Sequence, residues 1–191
     1  MTRWVLALLA AAVAHPAAAQ DSGAVKLRLT LEEGAHVGHR APAVVLPYAT
    51  ADSAGPAGQP FDLAKELDHV VVLIFFPRDA APGAAEDWRA IAAHEPNPAA
   101  SGVVLAGISA DSVATHVRFA RDLQLPFKLL SDRTLAVARR YGAVRGREIA
   151  PMLVVVGRGG QVRYVDAQFA PRSAESYVHL DAAIRTAREL R

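Results

Sequence analysis

The chain has 191 residues, enough for one domain with a sizeable core, and 21 basic residues against 19 acidic ones give a net charge of +2. That balance, with the arginines scattered among acidic residues rather than clustered with aromatics, argues against nucleic acid or an anionic membrane surface as a partner. There is no cysteine, so structural disulfides, thiolate nucleophiles and Cys-ligated metals are excluded outright.

The N-terminus has the grammar of an export signal. Arg3 supplies a positive start, Trp4 to Val13 a short apolar run, His15-Pro16 a break, and Ala17-Ala18-Ala19 a small-residue cleavage pattern. The run is shorter than the about 20 residues that span a bilayer. The expected organisation is therefore a signal peptide at 1–19 and a single domain at 20–191, periplasmic or secreted, with no membrane span after cleavage.

The mature chain opens with Lys26 to Leu31, whose period-two alternation predicts a half-buried strand. A Gly- and Pro-rich loop from Asp52 to Pro60 precedes a short helix expected over Phe61 to Leu67. Val70 to Phe76 is a continuous apolar run suited to a strand buried on both faces. Ala84 to His94 can form a helix, ended by Pro96 and Pro98.

The same grammar returns with a strand at Val103 to Ile108 and a helix from Ser112 to Leu123, capped by Ser109 or Asp111. Val113, Val117, Ala120 and Leu123 form its apolar stripe, which places His116 at the margin. Phe127 to Leu130 predicts a short strand, and Arg133 to Tyr141 a helix stopped by Gly142. Met152 to Val156 and Val162 to Val165 flank Gly157-Arg158-Gly159-Gly160 as a hairpin. A closing helix over Ser176 to Arg191 carries Tyr177, Leu180, Ile184 and Ala187 on one face. This order predicts an α/β fold, a central mixed sheet with helices on both faces.

These elements carry motifs in a fixed order. Val37-Gly38-His39-Arg40-Ala41-Pro42, then Val71 to Asp79, then Gly107-Ile108-Ser109-Ala110-Asp111-Ser112-Val113 lead through Leu125-Pro126-Phe127 and Leu129-Leu130-Ser131-Asp132 to Tyr141-Gly142. Over roughly residues 36 to 165 the chain resembles the peroxiredoxins, in their bacterioferritin-comigratory branch. The resemblance implies a thioredoxin-like fold and a thioredoxin-dependent peroxidase, whose Thr-Pro-Gly-Cys loop carries the cysteine that peroxide oxidises.

Here that loop reads Ala81-Pro82-Gly83-Ala84. The turn residues remain, but the hydroxyl and thiol are gone. The place of the family's pKa-lowering arginine holds Pro151, with Arg145 and Arg147 nearby, and the resolving cysteine's place holds Arg89. A methyl group has neither a lone pair to attack with nor a proton to release. The site is read as degenerate, with no catalytic residues, no cofactor and no metal.

Two functional classes follow. One is a non-catalytic binding or scaffold module of the cell envelope. The other is a family-type antioxidant or oxidoreductase role kept by a cysteine-independent route. For the first, Pro151-Met152-Leu153-Val154 is similar to the cis-proline turn of thioredoxins, although an ordinary trans proline opening a strand fits as well. A cis Ala150–Pro151 bond would leave backbone groups free to bind an extended segment of an envelope protein strand-wise. The hypothetical groove is Ala81, Pro82, Gly83, Ala84 and Pro151.

Other chemistry has weaker signals. His36 and His39, with Glu32 and Glu33 upstream, have the residue types of a partial metal site, although loop histidines are commonly just solvated. His94 sits near a helix end, where it suits the dipole. No Gly-x-Ser-x-Gly elbow is present. Trp88, which follows Glu86-Asp87, either fills the vacated pocket or contacts a partner.

Overall fold

A computed structural model describes residues 34–189. The signal segment and the expected strand at Lys26 to Leu31 lie outside the described residues, as do Glu32 and Glu33.

Val70 to Phe75 forms strand β4, and all six of its residues are buried. An unbroken apolar run with no polar alternation has no face to offer water, so it takes the centre of the sheet. Around it lie β5 (Val103–Ser109), β6 (Lys128–Ser131), β9 (Met152–Val156), β10 (Val162–Asp166) and the short β2 (Tyr48–Ala49). The sheet order is β10-β9-β4-β5-β6-β2. β4, β5 and β6 are parallel, while β9, β10 and β2 each pair antiparallel with their neighbours. The mixed sheet is the one expected, and the glycines from Gly157 to Gly160 turn the chain between β9 and β10.

Helices cover both faces. α1 (Ala84–His94), α3 (Val113–Leu123) and α5 (Ala174–Glu189) enclose Val72, Ile74, Leu153 and Val155. A four-residue helix, α2 (Pro98–Ser101), links α1 to β5. α4 (Ala136–Tyr141) packs on the other face with Leu73, Phe75, Ile108 and Val154. Each such Val or Leu side chain contributes about 1.5–3 kcal/mol by leaving water. α5 is further held to α1 by His94, whose ring stacks on Tyr177 at 4.0 Å and whose Nε2 lies 2.9 Å from Asp181 Oδ1.

Several boundaries differ from expectation for local reasons. Phe61 to Leu67 is not one helix: Phe61–Asp62 pairs with Val45–Leu46 as β3 with β1, and only Leu63–Lys65 turns, as a 3₁₀ helix. Pairing satisfies backbone groups that so short an isolated helix would leave open. α3 is capped by Ser112, whose Oγ accepts from Thr115 N at 3.1 Å, rather than by Ser109 or Asp111. α4 begins at Ala136 because Leu135 sits at φ 60°, and the Asp132 carboxylate caps it by accepting from the Ala136 and Ala138 amides. A hairpin of β7 (Val144–Arg145) with β8 (Glu148–Ile149) precedes β9. It was not foreseen, since two-residue strands have no readable period.

The vacated pocket and the buried polar cluster behind it

Phe76 continues β4 by donating its N–H to Ile108 O at 3.0 Å, and the chain then leaves the sheet. The turn closes with Ala84 N donating to Ala81 O at 3.0 Å, and Gly83 adopts φ 82°. That left-handed conformation is one glycine takes without penalty. It places Ala84 as the first residue of α1, where free amides and the helix dipole concentrate positive potential. Ala84 therefore stands at a helix N-terminus, behind the Pro82-Gly83 turn.

A cavity of about 190 Å³ opens here, with Ala81, Pro82, Ala84, Trp88, Pro151 and Phe169 in its walls. The structure brings together four of the five groove residues expected from sequence, with Gly83 in the turn beside them. Trp88 is 2% exposed, so it is a core residue and not a partner contact. Its indole lies edge-on to Phe76 at 4.9 Å and against Phe127 at 5.3 Å, forming the cavity's floor.

The expected cis bond is corrected. Among the described residues no peptide bond is cis, so Ala150–Pro151 is trans. The neighbouring backbone is also engaged: Ala150 N donates to Ala143 O at 2.8 Å, and Met152 pairs with Phe75 in the sheet. The cis-proline turn with a free Ala150 amide, on which strand-wise peptide binding was expected to rest, is therefore not what this chain presents.

The family's guanidinium is not replaced from the neighbouring strand. Arg145 donates to the Gly142 and Val144 carbonyls, and Arg147 lines a separate cleft with Glu148 and Asp111. Arg172, ahead of α5, does approach the helix start. Its Nη2 lies 3.6 Å from where a Gly83 Cβ would be, and its Nε pairs with Asp87 Oδ1 at 2.9 Å. Beside it Tyr177 donates to Pro171 O at 2.6 Å, and burial, then Asp87, pushes its hydroxyl up to about 12. Arg89, in the resolving position, is exposed on α1 and lies 3.9 Å from Glu86.

Behind the loop lies a cluster that sequence reasoning missed. His116 is fully buried, not marginal, and Asp79 is 6% exposed. His116 Nδ1 lies 2.8 and 3.0 Å from the two Asp79 oxygens. Its Nε2 is 3.4 Å from Ser109 Oγ, and the Asp79 amide donates to Asp111 Oδ2 at 2.6 Å. Burial raises the Asp79 carboxyl from its ordinary value, against the lowering by its bond to His116. The signal was a polar residue one helical turn before Ala120, on the buried side, but its partner lies 37 residues away.

Asp79, His116 and Ser109 have the residue types of an acid–base–nucleophile triad. Ser109 is fully buried at the end of β5, and its Oγ already accepts from the Asp111 amide at 3.0 Å. No substrate carbonyl can reach it, so the cluster is structural. His36 and His39 are exposed with ring centroids 5.9 Å apart, and among the described residues no group of three or more potential ligands surrounds them.

A central β4-β5-β6 parallel core, an antiparallel β9-β10 extension and a Pro82-Gly83 turn opening α1 define a protein of the thioredoxin-like superfamily. Residues 37–165 match the AhpC/TSA family, and the chain belongs to that family. It is 30% identical over 142 residues to the chloroplastic peroxiredoxin Q of Sedum lineare, covering 70% of this chain and 72% of that one. Among solved structures it is similar to the peroxidoxin BcpB of Mycobacterium tuberculosis, with TM-score 0.64 and 25% identity over 82% of this chain and 99% of that one. The reduced 2-Cys peroxiredoxin of Plasmodium vivax matches with TM-score 0.68 and 22% identity, over 81% and 99%.

Proposed function

We propose that this chain is an exported, catalytically silent member of its family that works as a binding module of the cell envelope. The observation that supports this reading is the cavity over Ala84. A site that in a peroxidase would be lined by a hydroxyl and a thiol is lined here by the methyls of Ala81 and Ala84 and the ring of Pro151, yet it remains open at about 190 Å³. An apolar cavity of about 150 Å³ is enough to hold benzene; Arg78 and Asp87 stand in the wall of this one beside Ile74, Phe75 and Met152, so it suits a compact, mostly apolar group. With the trans Pro151 in place, the occupant is a side chain or small ligand entering end-on, not an extended strand.

Purified protein is expected to consume hydrogen peroxide or an alkyl hydroperoxide no faster than buffer, whatever dithiol is supplied. Turnover above that control in metal-free protein would overturn the silent-site reading and favour the cysteine-independent enzyme. Export is tested separately. The mature form recovered from the periplasm is expected to begin at or near Gln20, and an intact Met1 on N-terminal sequencing would remove the cleaved-signal reading, while absence from the periplasm would remove the envelope assignment.

A further inference from the structure

The loop from Pro77 to Gly83 makes one wall of the cavity, yet little ties it to the rest of the fold. Ala81 N donates to Arg78 O, a bond within the loop itself. Arg78 pairs with Glu148, but both side chains are more than 60% exposed, and such pairs are worth little. The buried ties run through Asp79: its carboxylate meets His116 Nδ1, and its amide donates to Asp111 Oδ2.

We infer that His116 is the positioning residue of the pocket, holding the Pro77–Gly83 wall in place through Asp79 and so keeping the cavity over Ala84 open. The inference rests on the reading of that cavity as the binding site. His116 projects from α3 and is met by the loop, by the end of β4 and by the end of β5. From the loop comes Asp79. From the end of β4 comes the Phe76 ring at 6.1 Å, and from the end of β5 comes Ser109 Oγ at 3.4 Å. Asp111 is the further charged group facing the pair, through the Asp79 amide and Ser109. A ring of the same size without nitrogens would leave the Asp79 carboxylate buried and unpaired. That is among the costliest arrangements a protein interior can hold, and the loop would relieve it by swinging into water.

Proton linkage gives a second signature. Burial raises the Asp79 carboxyl when the loop is closed, whereas an open loop returns it to about 3.9. Between those values the closed form binds more protons than the open one. Opening therefore becomes easier as pH rises through that window.

The test uses the full chain with Trp4→Phe, so that Trp88 is the sole indole. Benzene is the probe, read by Trp88 fluorescence, and loop opening is read by hydrogen exchange at the Asp79 and Ala81 amides. His116→Phe is expected to weaken benzene binding at least tenfold and speed exchange at both amides at least tenfold, with β5 amides unchanged. His116→Gln, which keeps a donor, is expected to recover part of both. The pH dependence of opening is expected to vanish in Asp79→Ala. If His116→Phe does not fold, Asp79→Ala carries the exchange test. Exchange within twofold of the parent in whichever of the two folds would overturn the inference. Failure of the parent to bind benzene would count against the pocket reading instead, and the exchange result would still decide whether His116 holds the loop.

Discussion

Ala84→Cys is expected to give a thiol that titrates below the ordinary value of about 8.5. Several influences act at that position. The first-turn amides of α1 and the helix dipole favour a thiolate. The Arg172 guanidinium, close to Gly83, acts in the same direction, against the first-turn carboxylates of Glu86 and of Asp87, which pairs with Arg172 at 2.9 Å. Burial also opposes the thiolate, because Ala84 is only 8% exposed and a thiolate there loses hydration. We expect the first two to win, since free N–H groups and a guanidinium can replace the lost water contacts. Adding Pro151→Arg places a second cation at the cavity wall and should lower the value further, by about one unit for a charge within hydrogen-bonding range. Arg172→Ala should raise it. The absence of any other cysteine makes the measurement direct: thiolate absorbance against pH, checked by the pH dependence of alkylation. A thiol titrating at about 8.5 or above would mean that the turn does not present residue 84 to the helix start.

Gly107→Ala is expected to be among the most destabilising single-methyl additions in the chain. A Cβ there would lie 2.5 Å from Trp88 Cη2, 2.8 Å from Cζ2 and 2.7 Å from Leu129 Cδ2. Such contacts cannot exist, so the indole or the sheet must move, at a cost of about 1–3 kcal/mol or more. Trp88→Ala removes the cavity floor and about 3–5 kcal/mol of stability. The informative experiment is the pair. In a Trp88→Phe background the indole's outer ring is gone and only the Leu129 contact remains, so Gly107→Ala should cost less than it does in the parent, a coupling of about 1 kcal/mol or more. Denaturant unfolding of the four proteins measures it. Strict additivity would show that the glycine's hydrogen is not what admits the indole.

That coupling marks the limit of what the chain reveals in one dimension. The apolar run Val70 to Phe75 announced a central strand because burial on both faces leaves a pattern within a single segment. Ala84 to His94 was legible to the residue because Pro82-Gly83 before it and prolines after it are local stop signals. The absence of a thiol was legible as well, since a missing sulfur needs no geometry to establish. Where pairing decided the outcome, local reading failed. Phe61 and Asp62 became strand only because Val45 and Leu46 lie beside them. His116 was misplaced because the stripe through Val113, Val117 and Ala120 takes no account of a carboxylate arriving from another element.

By itself, then, the sequence determined the fold class, the family and the loss of thiol chemistry, because each rests on periodicity, motif order or composition, which are properties of neighbours along the chain. Only the tertiary structure decided that Pro151 is trans with its flanking Ala150 amide already engaged. It also decided that Trp88 is floor rather than surface, that Arg172 rather than Arg145 or Arg147 reaches the helix start, and that Asp79 meets His116. The reason is common to all four. Each depends on groups tens of residues apart, or on which of two possible partners a backbone amide takes, and free energies of that kind are settled by three-dimensional competition rather than by any local preference.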